Sequence, residues 1–108
     1  MKIIIYKTST GKVPFSDWLS TLEPKSKAII RTRMDRVKLG NFGDSKVIQD
    51  GNGIRELRIE YGPGYRVYFG VKNLVVVIVL MGGDKGSQNR DITKAKQYWL
   101  ECKELEYE

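Results

Sequence analysis

The chain has 108 residues, 41% of them hydrophobic, which is enough for one domain with a single core, residues 1–108, and too few for two. Its net charge of +6 attracts polyanions such as nucleic acid. It has no histidine and a single cysteine, Cys102, which excludes histidine-dependent catalysis, histidine-ligated or cysteine-rich zinc sites and an intramolecular disulfide. No apolar run reaches the roughly 18 residues of a membrane span and no signal peptide is recognisable, so we expect a cytoplasmic protein.

The N-terminal half of the chain predicts one strand followed by two helices. Residues 2–7 predict the strand, and a polar turn follows it. Residues 14–22 predict a short helix, because large apolar side chains recur there at helical spacing. Residues 24–39 predict a second helix, with a proline in its first turn and a glycine just after its end. Residues 41–52 are expected to form a loop.

The second helix has an apolar stripe between two basic flanks. Ile30, Met34 and Val37 share one face of the helix. Lys27 and Arg31 stand on one flank of this stripe. Two interpretations are open: a solvated amphipathic helix, or a phosphate-contacting surface on which Lys27 and Arg31 bind RNA.

The C-terminal half predicts three strands. Residues 54–61 and 65–72 alternate in polarity on either side of a Gly-Pro-Gly turn. Residues 74–81 are apolar at every position, which predicts a strand in the interior of the sheet. Together with a last helix, the order is β-α-α-β-β-β-α. This order predicts an α+β fold with a mostly antiparallel four-stranded sheet and helices packed on one of its faces.

The strands are joined to the last helix by a glycine-rich segment. Residues 82–86 are expected to form a flexible turn. The helix begins near Ser87 or Asp91, both acceptable N-caps. The acidic end of the chain, residues 101–108, is expected to fray.

One face of the predicted sheet carries an unusual set of charged side chains. Counting by two, Glu56, Arg58 and Glu60 share a side of their strand, and Arg66 and Tyr68 share a side of the next one. If this face is open to solvent, its arginines can hold a phosphate backbone.

Two segments carry a resemblance to a known family. The first is residues 55–58, Arg-Glu-Leu-Arg, leading into residues 64–68, Gly-Tyr-Arg-Val-Tyr. The second is residues 82–85, Gly-Gly-Asp-Lys, with the positions Gln88, Asp91, Ile92 and Ala95 after it. With this element order, the chain resembles the RelE/ParE superfamily of toxins from type II toxin–antitoxin modules, and within it the HigB-like addiction module killer proteins. The resemblance covers nearly the whole chain and implies a RelE-like fold.

The resemblance also implies an activity. The RelE branch cleaves messenger RNA in the ribosomal A site and so blocks translation, as a metal-independent endoribonuclease or mRNA interferase. A 2′-hydroxyl attacks the adjacent phosphate, which leaves a 2′,3′-cyclic phosphate and frees a 5′-hydroxyl.

Four residues are expected to act in catalysis by this resemblance. Arg66 matches an arginine that stabilises the transition state, and its planar fork can hold two phosphate oxygens. Arg58 matches a family lysine, and Lys85 lies where RelE has a catalytic arginine. Glu56 replaces a second lysine and is either the general base or a partner of Arg66. The alternative for Arg66 is a structural arginine paired with Glu56 or Glu60.

Further residues are expected to contact RNA. Arg55 belongs to the first matching segment, and Gly83 lets the backbone approach a phosphate. Tyr68 either stacks on a base or covers the sheet. RelE has a catalytic tyrosine at the start of its last helix, whereas this chain has Asp91 in that region, as an N-cap rather than a catalyst.

The resemblance finally implies partners. These are a cognate HigA-like helix-turn-helix antitoxin, the ribosome with its messenger RNA, and operator DNA only through the antitoxin complex. No metal, organic cofactor or membrane is implied. Two other functions remain open: a ParE-like toxin that inhibits DNA gyrase without cleaving RNA, and an inactive protein that only binds its antitoxin.

Overall fold

The computed structural model describes residues 1–103, the last of them by its backbone alone. The described residues form five strands and three helices: β1 (Lys2–Ile5), α1 (Pro14–Ser20), α2 (Pro24–Lys38), β2 (Ser45–Val47), β3 (Ile54–Ile59), β4 (Tyr65–Lys72), β5 (Val76–Asp84) and α3 (Gln88–Lys103). A 3-10 turn, Lys85–Ser87, joins β5 to α3. Because α3 continues through residue 103, the fraying expected for residues 101–108 concerns residues 104–108, which lie outside the described part of the chain.

The five strands form one sheet in the order β1-β5-β4-β3-β2. β1 pairs with β5 in parallel, and the other three pairings are antiparallel. The predicted α+β class and mostly antiparallel sheet are therefore confirmed. The strand count is wrong by one, because residues 45–47 pair with β3 instead of staying in the expected loop. β5 lies between β1 and β4, as its continuous apolar run predicted.

Helices cover both faces of the sheet, which corrects the prediction that they pack on one face only. α1 and α2 cover the face that carries Leu57, Val67 and Phe69. α3 covers the opposite face, where Tyr68 and Ile78 pack against it. The face expected to be open to solvent is thus largely closed, because α3 buries its own apolar stripe there.

The packing of α3 depends on a glycine in the centre of the sheet. The Trp99 ring lies over Gly70 so closely that a β-carbon on this glycine would be 2.3 Å from a ring carbon. The Trp99 indole N–H also donates to the backbone oxygen of Asn52 at 2.8 Å. Near the C-terminal end of α3, the Tyr6 hydroxyl donates to the Glu101 carboxylate. These contacts fix α3 across the sheet.

The second helix has the predicted boundary signals. Pro24 occupies its first turn. At the other end, the Gly40 N–H bonds the Val37 oxygen at 2.9 Å and the Asn41 N–H bonds the Arg36 oxygen at 2.9 Å. This is a Schellman motif, which needs the left-handed φ of 87° that Gly40 adopts. No helix in residues 1–103 is long and apolar enough to cross a membrane.

The glycine-rich segment of residues 82–86 is not the expected flexible turn. Gly82 and Gly83 are part of β5 and are fully paired with β4. On the α1 side, a β-carbon on Gly82 would lie 2.2 Å from the Trp18 ring. Both glycines are therefore positions of close packing.

Candidate functional site

The candidate site lies under the N-terminal end of α3. The pairing of the strands brings its residues together. Arg58 of β3 is opposite Arg66 of β4, and Arg66 is opposite Gly83 of β5. Two residues further along each strand, Glu56 is opposite Tyr68. All these positions face α3. We use the name Glu56–Arg66 cluster for the side chains that meet here: Lys46, Glu56, Glu60, Arg66, Tyr68 and Gln88.

Glu56 is the centre of the cluster and is fully buried. Its Oε2 accepts a hydrogen bond of 2.8 Å from the Gln88 side-chain amide. Its Oε1 lies 3.8 Å from Arg66 Nε and 3.9 Å from Lys46 Nζ. Two cations therefore offset the charge of this carboxylate, one buried and one half exposed.

Arg66 is held from several sides, with only 7% of its side chain exposed. Its Nη1 donates to the backbone oxygen of Tyr65 at 3.1 Å and lies 3.7 Å from Glu60 Oε1. The structure thus has both of the ion pairs considered for Arg66, with Glu56 and with Glu60. Because Glu60 is exposed at the rim, one end of the guanidinium is near solvent.

Three polar atoms of the cluster lack hydrogen-bond partners. Among the described residues, only five buried side-chain polar atoms make no hydrogen bond, and Glu56 Oε1, Arg66 Nε and Tyr68 OH are three of them. Buried polar atoms of folded proteins are nearly always hydrogen-bonded, and a group of exceptions at one place calls for an explanation. An acceptor, a cationic donor and a hydroxyl thus lie side by side, close enough for charge interactions with one another.

Tyr68 is kept in its neutral form by this surrounding. Burial, followed by the nearby Glu56 carboxylate, raises the pKa of its hydroxyl well above the ordinary value. A neutral tyrosine donates a proton in hydrogen bonds but is a poor base at neutral pH. Because Tyr68 is fully buried, covering the sheet describes its place better than stacking on a base does.

Arg58 lies next to Arg66 on the neighbouring strand, at the solvent-exposed end of the site, with 38% of its side chain exposed. Its Nε and Nη2 both donate to Asp44 Oδ1, at 3.2 and 2.8 Å. The hydrogen bond and charge of Asp44 raise the pKa of the guanidinium, so Arg58 keeps its positive charge.

Gly83 is covered by the first turn of α3. A β-carbon on Gly83 would lie 1.9 Å from Asp91 Oδ2. The Ser87 hydroxyl donates to the same carboxylate. The space above Gly83, expected to receive a phosphate, is thus filled by Asp91. The expectation that Asp91 caps the helix is wrong, because α3 begins at Gln88 and Asp91 lies inside its first turn.

The turn before α3 is held by a capping box. Asp84 accepts from the Ser87 N–H at 3.1 Å, and the Ser87 hydroxyl lies 3.3 Å from the Asp84 N–H. Lys85 is exposed here and lines an open pocket of about 270 Å³ with the following residues, Gly86, Ser87, Gln88, Asn89 and Arg90. This places an exposed cation beside Gln88 of the cluster.

The remaining predicted RNA contacts are not brought to this site. Arg55 points to the opposite face, where its guanidinium lies 5.4 Å from the Phe42 ring centre. Lys27 and Arg31 belong to α2, which covers that face as well. If these residues contact RNA, they do so on a second surface.

Sequence reasoning missed three contributors to the site. Gln88 was noticed only as part of a motif, although it bonds Glu56. Lys46 and Asp44 were assigned to a loop, yet they reach Glu56 and Arg58 because β2 pairs with β3. Within residues 1–103, no cluster of three or more potential metal-ligating side chains occurs.

The charges at this face nearly cancel. Lys46, Arg58 and Arg66 are each within ion-pair distance of at least one carboxylate, from Asp44, Glu56 or Glu60. An incoming phosphate must therefore compete with carboxylates for these cations.

Comparison with known proteins assigns this architecture to a family. Residues 17–99 match the family model described as "Phage derived protein Gp49-like (DUF891)". The chain is also 52% identical over 83 residues to an uncharacterized protein of Haemophilus influenzae strain Rd, a match that covers 76% of this chain and 82% of that protein. The chain belongs to the Gp49-like family of phage-derived proteins, a RelE-like family associated with the toxins of toxin–antitoxin modules.

Proposed function

We propose that this protein is the toxin of a type II toxin–antitoxin module and cleaves messenger RNA on the ribosome, in the cytoplasm. Family membership supports the toxin role. The observation that carries the chemistry is the pair of buried atoms, Glu56 Oε1 and Arg66 Nε, which lie 3.8 Å apart without hydrogen-bond partners. An acceptor and a cationic donor that are ion-paired without a hydrogen bond suit a hydroxyl and the phosphate beside it.

In the proposed reaction, Glu56 is the general base. Its Oε1 takes the proton of a 2′-hydroxyl, whose oxygen then forms a bond to the adjacent phosphorus. Arg66 stabilises the negative charge that develops on the phosphate oxygens. The bond from phosphorus to the 5′-oxygen breaks, and this oxygen takes a proton from Lys85 or from water. The products are a 2′,3′-cyclic phosphate and a 5′-hydroxyl.

The exposed cations, Lys85 included, also position the RNA. Arg58 and Lys85 lie at the exposed sides of the cluster and suit the phosphates that flank the cleaved bond. The reaction needs no metal, since a carboxylate and cationic side chains supply the base and the charge stabilisation.

Access to Glu56 requires a local movement. Glu56 is fully buried and the Gln88 side chain donates to it from the first residue of α3. We propose that Gln88 swings away when RNA binds, and that a phosphate group replaces part of the ion pairing of Arg66. The cleavage-competent state is then formed on the ribosome and is rare in the free protein.

A HigA-like helix-turn-helix antitoxin is the proposed partner that holds the toxin inactive, and operator DNA is bound through that complex. The net charge of +6 favours an acidic antitoxin segment.

A second candidate function is inhibition of a target by binding alone, either of DNA gyrase or of the antitoxin only. The observation in its favour is that the cations of the Glu56–Arg66 cluster are already paired with carboxylates and that Glu56 is buried. In this case Arg66 and Glu56 have a structural role.

Mapping the 5′ ends of cellular RNA separates the two functions. The wild type, Arg66→Lys and Arg36→Ala are expressed from a tightly controlled promoter, with and without a translation inhibitor. Arg66→Lys keeps a positive charge for Glu56 but loses the planar fork, and Arg36→Ala, at an exposed position on α2, controls for the loss of a surface arginine.

We expect cuts inside translated codons for the wild type and Arg36→Ala, and few or none for Arg66→Lys or when translation is blocked. Growth arrest without such cuts would contradict the proposal and support the second function. The absence of both arrest and cuts, with folded protein present, would contradict it as well.

A further inference from the structure

A groove lies between the outer edge of the sheet and α3. Its volume is about 400 Å³. The lining residues come from β2, from the two positions after it and from α3: Lys46, Val47, Ile48, Gln49, Ile92 and Lys96. Apart from Lys46, none of these residues takes part in the proposed cleavage site.

The backbone along one side of the groove is available for pairing. β2 is the outermost strand of the sheet formed by the described residues. The Asp44 oxygen accepts from the Arg58 N–H at 2.8 Å and the Ile48 N–H donates to the Ile54 oxygen at 2.9 Å. In an antiparallel pair, the backbone N–H and C=O groups of successive residues point alternately toward the partner strand and away from it. Those of Ser45 and Val47 therefore point away from β3.

The side chains of the groove are apolar in the middle and basic at the margins. Ile48 and Ile92 lie on the α3 side, whereas Val47, 59% exposed, turns to the other face of the sheet together with its partner Arg55. Lys46, with 51% of its side chain exposed, and Lys96 flank these apolar residues. Natural proteins often protect an edge strand by placing lysine on it, but Lys46 here points toward Glu56, 3.9 Å away, on the side of α3.

We propose that this groove binds an extended segment of another protein, in which acidic and apolar side chains alternate, as an additional strand next to β2. The backbone groups of Ser45 and Val47 pair with the segment. Its apolar side chains pack on Val47, on the face away from α3, and its carboxylates bind Lys46 and Lys96 on the α3 side. Strand addition of this kind obtains affinity from main-chain hydrogen bonds and specificity from alternate side chains. The proposal does not depend on RNA cleavage.

The composition of the groove favours a peptide over RNA. Single-stranded RNA is bound by cationic grooves with aromatic rings on which bases stack. The six lining residues include no aromatic ring, and three of them are aliphatic. The free backbone edge matches the hydrogen-bonding pattern of a peptide strand.

The test is a titration of the full-length, ¹⁵N-labelled protein with a synthetic peptide of about six residues, alternating glutamate and valine, followed by NMR. We expect shifts centred on the amides of Ser45, Val47 and Gln49. The double variant Lys46→Glu/Lys96→Glu should weaken binding by about tenfold or more, through direct charge repulsion. Lys12→Glu, in the exposed loop after β1 at the other edge of the sheet, should change it by less than about threefold.

Three results would overturn the proposal. The first is shifts that avoid β2 and centre on the basic helix α2. The second is equal weakening by the Lys12→Glu control. The third is a single-stranded oligouridylate that shifts the groove amides when the peptide does not, which would assign the groove to RNA. Dispersed spectra of all variants establish that they are folded, and a peptide with lysine in place of glutamate should not bind.

Discussion

Glu56 and Arg66 lie on neighbouring strands with Oε1 and Nε 3.8 Å apart, and neither atom makes a hydrogen bond within the described residues. A buried polar atom without a partner costs about 1–3 kcal/mol of stability. Ion pairing with Glu60 and the hydrogen bond from Gln88 offset only part of this cost. The fold therefore maintains an incompletely satisfied pair, which is the arrangement expected of groups that bind or react with something else.

Arg66 should be important for stability as well as for activity. Arg66→Ala leaves the Glu56 carboxylate buried without its nearest cation, so we expect the free energy of unfolding to fall by about 3–5 kcal/mol. Arg66→Lys should lose clearly less, because it keeps the charge. Urea denaturation followed by tryptophan fluorescence measures both. Equal losses for the two variants would show that the charge of Arg66 does not stabilise Glu56.

Tyr68 should make stability fall in alkali. Its raised pKa means that the folded state holds the hydroxyl proton more tightly than the unfolded state, for which the value is 10.0. The stability linked to this proton is complete below pH 10.0 and decreases as the pH rises above it.

Tyr68→Phe removes this dependence. We expect the variant to lose no more than about 1.5 kcal/mol at neutral pH, the contribution of a single hydrogen bond, because the hydroxyl interacts with the Glu56 carboxylate. Above pH 10.0 the stability of the variant should fall less steeply than that of the wild type, and the two slopes should differ by up to about 1.4 kcal/mol per pH unit. Urea denaturation at a series of pH values measures the difference, and parallel curves for the two proteins would contradict the account.

Gly83 should not tolerate a side chain while Asp91 is present. In Gly83→Ala the new methyl group overlaps with the Asp91 carboxylate, at 1.9 Å, and we expect a loss of about 1–3 kcal/mol. Asp91→Ala removes the obstacle, so the double variant should be more stable than the sum of the two single losses predicts, by about 1 kcal/mol or more. Strictly additive losses in denaturation experiments would contradict the observed packing.

Asp44 should limit the binding of RNA by Arg58. Asp44→Asn removes an exposed ion pair, so stability should change by less than about 1 kcal/mol. The freed guanidinium can contact one more phosphate. We expect tighter binding of a labelled single-stranded RNA in fluorescence anisotropy, with a salt slope steeper by about 0.7. Asp17→Asn, the same charge change on α1, should leave the slope unchanged, and an identical effect of both variants would mean that only net charge matters.

The strands and helices were predictable where a periodic pattern extends over several residues. β4 occupies residues 65–72, as its alternation predicted, and β5 lies inside the sheet. β2 was not predictable in this way, because three residues are too few to establish an alternation and two of them are polar. With β2 unknown, the reach of Lys46 to Glu56 was hidden too.

The composition of the site was predictable in part. Alternation within β3 and β4 placed Glu56, Arg66 and Tyr68 on one face, where the structure has them. The same alternation predicted that this face is exposed to solvent, because the pattern within one strand does not show what packs on its polar face. Whether a distant helix covers a polar face depends on its tertiary packing, and here Trp99 over Gly70 brings α3 onto that face. The burial of Glu56 follows from this packing and not from the sequence around it.

The most direct test of the account is the rate of messenger RNA cleavage in a reconstituted translation reaction, with the wild type and Glu56→Gln compared at a single turnover. The substitution keeps the size of the side chain and an oxygen that can accept from Gln88, but it removes the base. We predict cleavage by the wild type that leaves a 5′-hydroxyl, and a rate at least about 100-fold lower for folded Glu56→Gln. Equal rates for the two proteins, or no cleavage by the wild type, would contradict the role of the Glu56–Arg66 pair.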